Sequence, residues 1–129
     1  MKKKILEYKH LKTPQGEALS GMPWNIYPRP QMQRDSFLCL CGEWDFSAEG
    51  VIENAKIQVP FPPESLLSGV HRDMEKMPKL HYVKRFLLPE GFGKERVLLH
   101  FGAVDQIARV TLNGNFVGEH IGGYDAFSF

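Results

Sequence analysis

The sequence predicts an all-β protein, an antiparallel sandwich or barrel of short strands, and three observations carry that expectation. Apolar and polar residues alternate in short runs from residue 36 onward, as in Arg96-Val97-Leu98-Leu99-His100-Phe101. Turn signals separate the runs. Asn113-Gly114 is the strongest of them, because a tight two-residue hairpin loop needs positive φ, which Asn and Gly tolerate. Nine Pro and twelve Gly spread along the chain leave little room for long helices. The 129 residues suit one domain, and a 43% hydrophobic share with two Trp, four Tyr and nine Phe supplies a core.

Taken in order, the first 35 residues show little periodicity. Pro14, Pro23, Pro28 and Pro30 punctuate them. Proline fixes φ and pushes its predecessor toward extended geometry, so residues 1–35 are expected to form an extended arm anchored by Met22, Trp24, Ile26, Tyr27 and Met32. Residues 36–129 are expected to form the β-sandwich domain. Its strand signals begin with Phe37-Leu38-Cys39-Leu40, and Gly42 interrupts them. Glu43-Trp44-Asp45-Phe46 places Trp44 and Phe46 on one face, with Glu43 and Asp45 on the other. Lys56-Ile57-Gln58-Val59 alternates up to Pro60, and a loop with Pro60, Pro62, Pro63, Gly69 and Pro78 spans residues 60–79. His81 to Leu88 and Arg96 to Phe101 are the next expected strands. Gln106 to Leu112 should pair with Asn115 to Glu119 across the Asn-Gly turn. Gly122-Gly123 turns the chain again, and Phe127 and Phe129 begin a further alternating segment.

Sixteen basic and fifteen acidic side chains leave a formal net charge of +1, which gives nucleic acid or an anionic membrane no footprint to read. Lys2-Lys3-Lys4 is followed by no apolar stretch of signal-peptide length, and no segment reaches membrane-spanning length, so a cytoplasmic address is expected. Cys39 and Cys41 should point to one face of a strand. Such neighbours rarely meet disulfide geometry, and without a second pair they make a poor zinc site, so two reduced thiols in or near the core are expected.

His10, His71, His81, His100 and His120 show no metal-ligand spacing, no Ser sits in a Gly-x-Ser-x-Gly elbow, and there is no glycine-rich phosphate loop. No catalytic constellation, metal site or cofactor is expected. Glu43 and Asp45 could mimic the carboxyl pair of a retaining glycosidase, but residues opposite Trp44 and Phe46 read more simply as solvated. Asp73 and Glu75 read as ordinary loop charges. Among rings able to stack on a sugar, Trp44 reads as core and Tyr124, beside Gly122-Gly123, stays open. Trp24 in the arm is the preferred exposed platform.

Leu40-Cys41-Gly42-Glu43-Trp44-Asp45-Phe46 and Val59-Pro60-Phe61-Pro62-Pro63-Glu64-Ser65 open a longer pattern. It continues through His81-Tyr82-Val83-Lys84-Arg85-Phe86, Arg96 to Val104, Val110-Thr111-Leu112-Asn113-Gly114 and Gly122-Gly123-Tyr124-Asp125-Ala126-Phe127. Together these stretches resemble the N-terminal sugar-binding domain of family 2 glycoside hydrolases, the β-galactosidase and β-glucuronidase family. The resemblance covers residues 27–129 and agrees in order, spacing and turn chemistry. It implies a jelly-roll-like, galactose-binding-domain-like sandwich at the front of a longer enzyme, whose barrel carries the catalytic glutamates. Cys41 departs from the pattern by standing where the family usually has Asn.

Phe129 falls inside a segment that the family continues with further strands. The sandwich is therefore expected to be incomplete at that end, with Phe127 and Phe129 uncovered and with self-association of the chain through an open edge. The implied function is that of a non-catalytic β-glycosidase domain that packs on the catalytic barrel and shapes its substrate pocket, with weak or no sugar affinity of its own. A free-standing carbohydrate-binding module and a structural or interaction domain without ligand are the alternatives. Loops on a rigid scaffold carry sites, and in some relatives a loop of this region reaches toward substrate. Arg72 and Asp73, with Trp24, are accordingly the candidate substrate-binding residues.

Overall fold

The computed structural model describes residues 13–20, 29–32, 34–74 and 78–129. Trp24, Tyr27, His10 and Glu75 lie outside the described residues. The chain divides into two compact units, residues 1–87 and 88–129. Seven strands are described: β1 (Gly42–Ala48), β2 (Ile52–Val59), β3 (Leu80–Val83), β4 (His100–Phe101), β5 (Ile107–Leu112), β6 (Asn115–Ile121) and β7 (Phe127–Ser128). Every ladder among them is antiparallel, in the orders β2-β1-β3, β4-β7 and β5-β6. Helix among the described residues amounts to one α-turn and two 3-10 turns, so the protein is all-β.

In the first unit β1 lies at the centre of the sheet. Trp44 pairs with Ile57, Phe46 with Ala55 on one side and Tyr82 on the other, and Ala48 with Leu80. Because side chains alternate along a strand, these residues share one face. That face is the core: Phe46, Ala48, Ile57 and Met74 are buried, and Trp44, Val51, Ile52, Ala55, Val59, Val70 and Leu80 pack around them. Tyr82 meets Phe46 edge-on at 5.0 Å, and burial, helped by the Glu64 carboxylate, pushes its phenol up to about 12. The register slips between Phe46 and Ala48, a bulge that increases the local twist of β1.

Residues 63–71 of the 60–79 loop are ordered by one side chain. Ser68 is buried, and its Oγ lies 2.7 Å from Ser65 O and 3.1 Å from Pro63 O while accepting from the Val70 and His71 amides. A hydroxyl can donate once and accept twice, so a single serine satisfies the tightest part of the loop. Met74 then anchors the loop into the core.

Several expectations need correction here. Phe37-Leu38-Cys39-Leu40 is not a strand; the Leu40 carbonyl accepts the Trp44 indole N–H at 2.8 Å rather than a ladder partner, and β1 starts at Gly42, whose φ of 121° suits glycine. The expected strand from His81 to Leu88 covers only Leu80–Val83. Beyond Val83 contact with β1 passes to side chains, with Lys84 Nζ donating to Glu43 O at 2.7 Å. Within the stretch expected as an extended arm, Pro14–Glu17 is an α-turn and Pro30–Met32 a 3-10 turn. Thr13 caps the first, its Oγ1 accepting from Gly16 N, and Pro14 at the first helical position has the φ a helix start needs.

The second unit is built on the β5–β6 hairpin. Leu112 faces Asn115, and Asn113 and Gly114 turn the chain with φ of 51° and 81°, as the Asn-Gly signal predicted. Of the expected Arg96–Phe101 strand only β4 is in a regular ladder; Leu99 exchanges backbone hydrogen bonds with Phe129 at 2.9 and 3.0 Å, and Val97 and Leu98 are exposed. Phe127 and Phe129 are not uncovered, contrary to expectation. Phe127 stacks between Phe101 at 4.8 Å and His120 at 4.2 Å, and Phe129 meets Phe127 edge-on. The Phe129 ring lies where any side chain at Gly118 would go, so the missing Cβ of Gly118 makes the room.

Candidate functional site

The face of the β2-β1-β3 sheet opposite the core carries a shallow depression of about 420 Å³. Its polar lining is Asp45, Ser47, Glu53, Asn54, Lys56 and His81. The same alternation that sends Trp44, Phe46 and Ala48 inward sends Asp45 and Ser47 to this face, and the register brings Lys56 and Val83 beside Asp45 and His81 beside Ser47.

Charge here is arranged in two chains. Lys56 Nζ sits 2.6 Å from Asp45 Oδ1 and 3.4 Å from Glu43 Oε1, and Arg85 approaches Asp45 Oδ2 at 3.3 Å. On the neighbouring side Glu49 Oε1 holds His81 Nε2 at 3.0 Å and Lys79 Nζ at 3.5 Å. The Lys56 ammonium holds the Asp45 carboxyl below its ordinary range, with help from Arg85, and Asp45 in turn raises Lys56. The hydrogen bond from His81 lowers Glu49, and Lys79 adds to it.

This electrostatic arrangement bears on the Glu43/Asp45 pair. A retaining glycosidase needs one carboxyl held protonated as an acid. Lys56 placed between the two carboxylates favours the ionised form of Asp45, the opposite of what an acid requires. The face offers alternating donors and acceptors suited to hydroxyl groups, but its rings are poorly placed to stack on a sugar: Phe46 turns its side chain into the core, and the His81 imidazole is held by Glu49 at 3.0 Å.

Arg72 and Asp73 are exposed in the loop and do not line this depression. Arg72 is held by its amide to Pro63 O at 3.0 Å and by Nη1 to Val51 O at 3.2 Å. Trp24 lies outside the described residues. Tyr124, left open by the sequence, is 98% exposed, next to a Gly123 whose Cβ position is filled by the Asp105 carboxyl. Trp44 packs against the core as expected. Lys56, His81 and Arg85 were missed because they come from three segments far apart in sequence; the outward positions of the alternating runs were the available signal. In the second unit, His100 Nδ1 lies 2.6 Å from Ser128 Oγ on the exposed side of the β4–β7 pair.

Cys39 and Cys41 are half-buried and in no disulfide. Burial pushes the Cys41 thiol up, and a hydrogen bond with the Cys39 side chain adds to the rise. Among the described residues no group of three or more His, Cys, Asp or Glu could hold a metal ion, and no helix is long and apolar enough to cross a membrane.

These features define an antiparallel β protein whose polar face is built from neutralised charge. No family model matches the chain. A stretch of 48 residues, 37% of the chain, is 46% identical to a beta-galactosidase of Thermoanaerobacter pseudethanolicus. That stretch amounts to 6% of the length of the beta-galactosidase, so the chain spans only a small part of it.

Proposed function

We propose that this chain is a non-catalytic β-domain of a family 2 β-glycosidase, a jelly-roll-like sandwich that packs on the catalytic barrel and shapes its substrate pocket. The observation that carries the reading is the 46% identity over 48 residues to a beta-galactosidase. The all-antiparallel architecture and the Asn113-Gly114 hairpin at its expected place support it. So does the charge on the polar face, where Lys56 favours ionised Asp45 over a proton donor. In this reading the 60–79 loop approaches substrate through Arg72 and Asp73, Trp24 of the N-terminal stretch is a further contact, and the protein is cytoplasmic. Exposed Ile107, Phe116 and Ile121 favour self-association of the isolated chain.

The test is turnover by the purified chain. A chromogenic β-galactoside or β-glucuronide should be released no faster than in buffer. Turnover above that background, abolished by Asp45→Asn or Glu43→Gln, would overturn the reading in favour of an enzyme. Binding of free galactose that Tyr124→Ala abolishes would favour the alternative, a free-standing carbohydrate-binding module.

A further inference from the structure

We propose that the outer face of the β5–β6 hairpin is a two-fold interface that takes a second copy of this chain. The interface rests on the self-association proposed above and not on the glycosidase assignment. The register pairs Ile107 with Ile121, Arg109 with Glu119 and Thr111 with Phe116, which sets three rows on one face. The register slip at Val117 keeps Phe116 on that side, with Arg109 Cζ 5.4 Å from the centre of its ring. The opposite face is occupied within the unit: Ala108 is buried, His120 stacks on Phe127, and the Phe129 ring fills the space over Gly118. On the outer face Ile107, Phe116 and Ile121 are each more than half exposed. The solvated side of an antiparallel pair is ordinarily polar, so three large apolar side chains there mark a contact surface.

The middle row chooses the occupant. Arg109 Nε lies 3.3 Å from Glu119 Oε2, so the face is neutral as a whole and gives a strongly charged partner no field to follow. It is instead complementary to itself. A two-fold axis running along the strands, between β5 and β6, lays β5 of one copy over β6 of the other with the rows in step. Ile107 then meets the partner's Ile121, and Thr111 meets the partner's Phe116. Each Arg109 meets the partner's Glu119, which closes a ring of four alternating charges. An axis across the strands would set Arg109 on Arg109 and Glu119 on Glu119, and such like-charge contacts oppose it. The hairpin face is narrow beside the roughly 800 Å² per partner of a standard interface, so the dimer is weak and reversible.

Sedimentation equilibrium of the whole chain, taken to about 1 mM, should show a reversible monomer–dimer equilibrium. Arg109→Glu and Glu119→Arg should each weaken the dimer by roughly 10-fold or more, because each sets four like charges in the central ring. An equimolar mixture of the two variants should restore association, since rows of opposite charge then meet; a variant that merely failed to fold would not be rescued this way. A chain that stays monomeric, single variants that associate as the unaltered chain does, or a mixture that stays monomeric would overturn the proposal. Cross-linking reads the register. With Cys39→Ser and Cys41→Ser as background, Ile107→Cys mixed with Ile121→Cys should give chiefly the mixed disulfide on oxidation with diamide. Homodisulfides in excess of the mixed one contradict the axis along the strands. Glycoside turnover enters none of these readouts, so their failure leaves the glycosidase reading standing.

Discussion

The sheet of residues 42–83 and the hairpin of residues 107–121 are both antiparallel, yet they spend their sequence differently. The sheet buries Phe46, Ala48 and Ile57 in a row and adds Met74 from a loop. In the hairpin unit Ala108 is the buried hydrophobic residue, while Ile107, Phe116 and Ile121 are exposed by more than half. Order in the hairpin comes instead from turn chemistry at Asn113-Gly114 and from rings stacked over a glycine. Side-chain burial specifies one region and backbone permissiveness the other, so different substitutions should break them.

The largest effect is expected at Phe46. Phe46→Ala removes a ring that is 3% exposed and should cost about 3–5 kcal/mol, whereas Phe116→Ala, losing mainly the Arg109 contact at 5.4 Å, should cost about 1 kcal/mol or less. Chemical denaturation of both variants would show whether the contrast is real; equal losses would erase it. Next comes Gly118→Ala, which collides with the Phe129 ring and should cost about 1–3 kcal/mol. Adding Phe129→Ala should cost less than the two single changes summed, and strict additivity would show that the ring is not what Gly118 accommodates. Gly114→Val should then destabilise by on the order of 1 kcal/mol or more, because a β-branched residue resists a φ of 81°. An unchanged melting temperature would remove turn chemistry from the account.

The smallest effect belongs to the polar face. The folded pKa of Asp45 lies below its unfolded value, so its contribution is present above the ordinary carboxylate value of about 4 and is lost as pH falls through the folded one. Asp45 is half-exposed, its partners Lys56 and Arg85 are more so, and the ion pairs are solvent-screened. Asp45→Asn should therefore lower the melting temperature slightly at neutral pH, and the gap should close on acidification. A gap that widens in acid would reverse the sign.

Local pattern made the alternating strands, the inward Trp44 and Phe46 and the Asn-Gly turn legible, because period-two burial and positive φ leave their mark on adjacent residues. The outer face was not legible. Asp45, Lys56 and His81 meet only through the register of three strands, which no single run encodes. The strand misreadings at Phe37–Leu40 and beyond Val83 share a cause, since apolar alternation says nothing of whether a ladder partner is present. Phe127 and Phe129 were misjudged because their cover comes from Phe101, His120 and the bare backbone of Gly118. Nothing local in the alternating segment encodes that cover.

The most direct test of the central claim is a chimera. The stretch of the Thermoanaerobacter pseudethanolicus beta-galactosidase that matches this chain would be replaced by this chain's own residues, and kcat and KM measured on a chromogenic galactoside. A non-catalytic domain that only shapes the pocket should leave kcat within about tenfold and move chiefly KM. A folded chimera whose kcat falls by orders of magnitude while KM holds would contradict it, because the exchanged stretch would then act on the transition state.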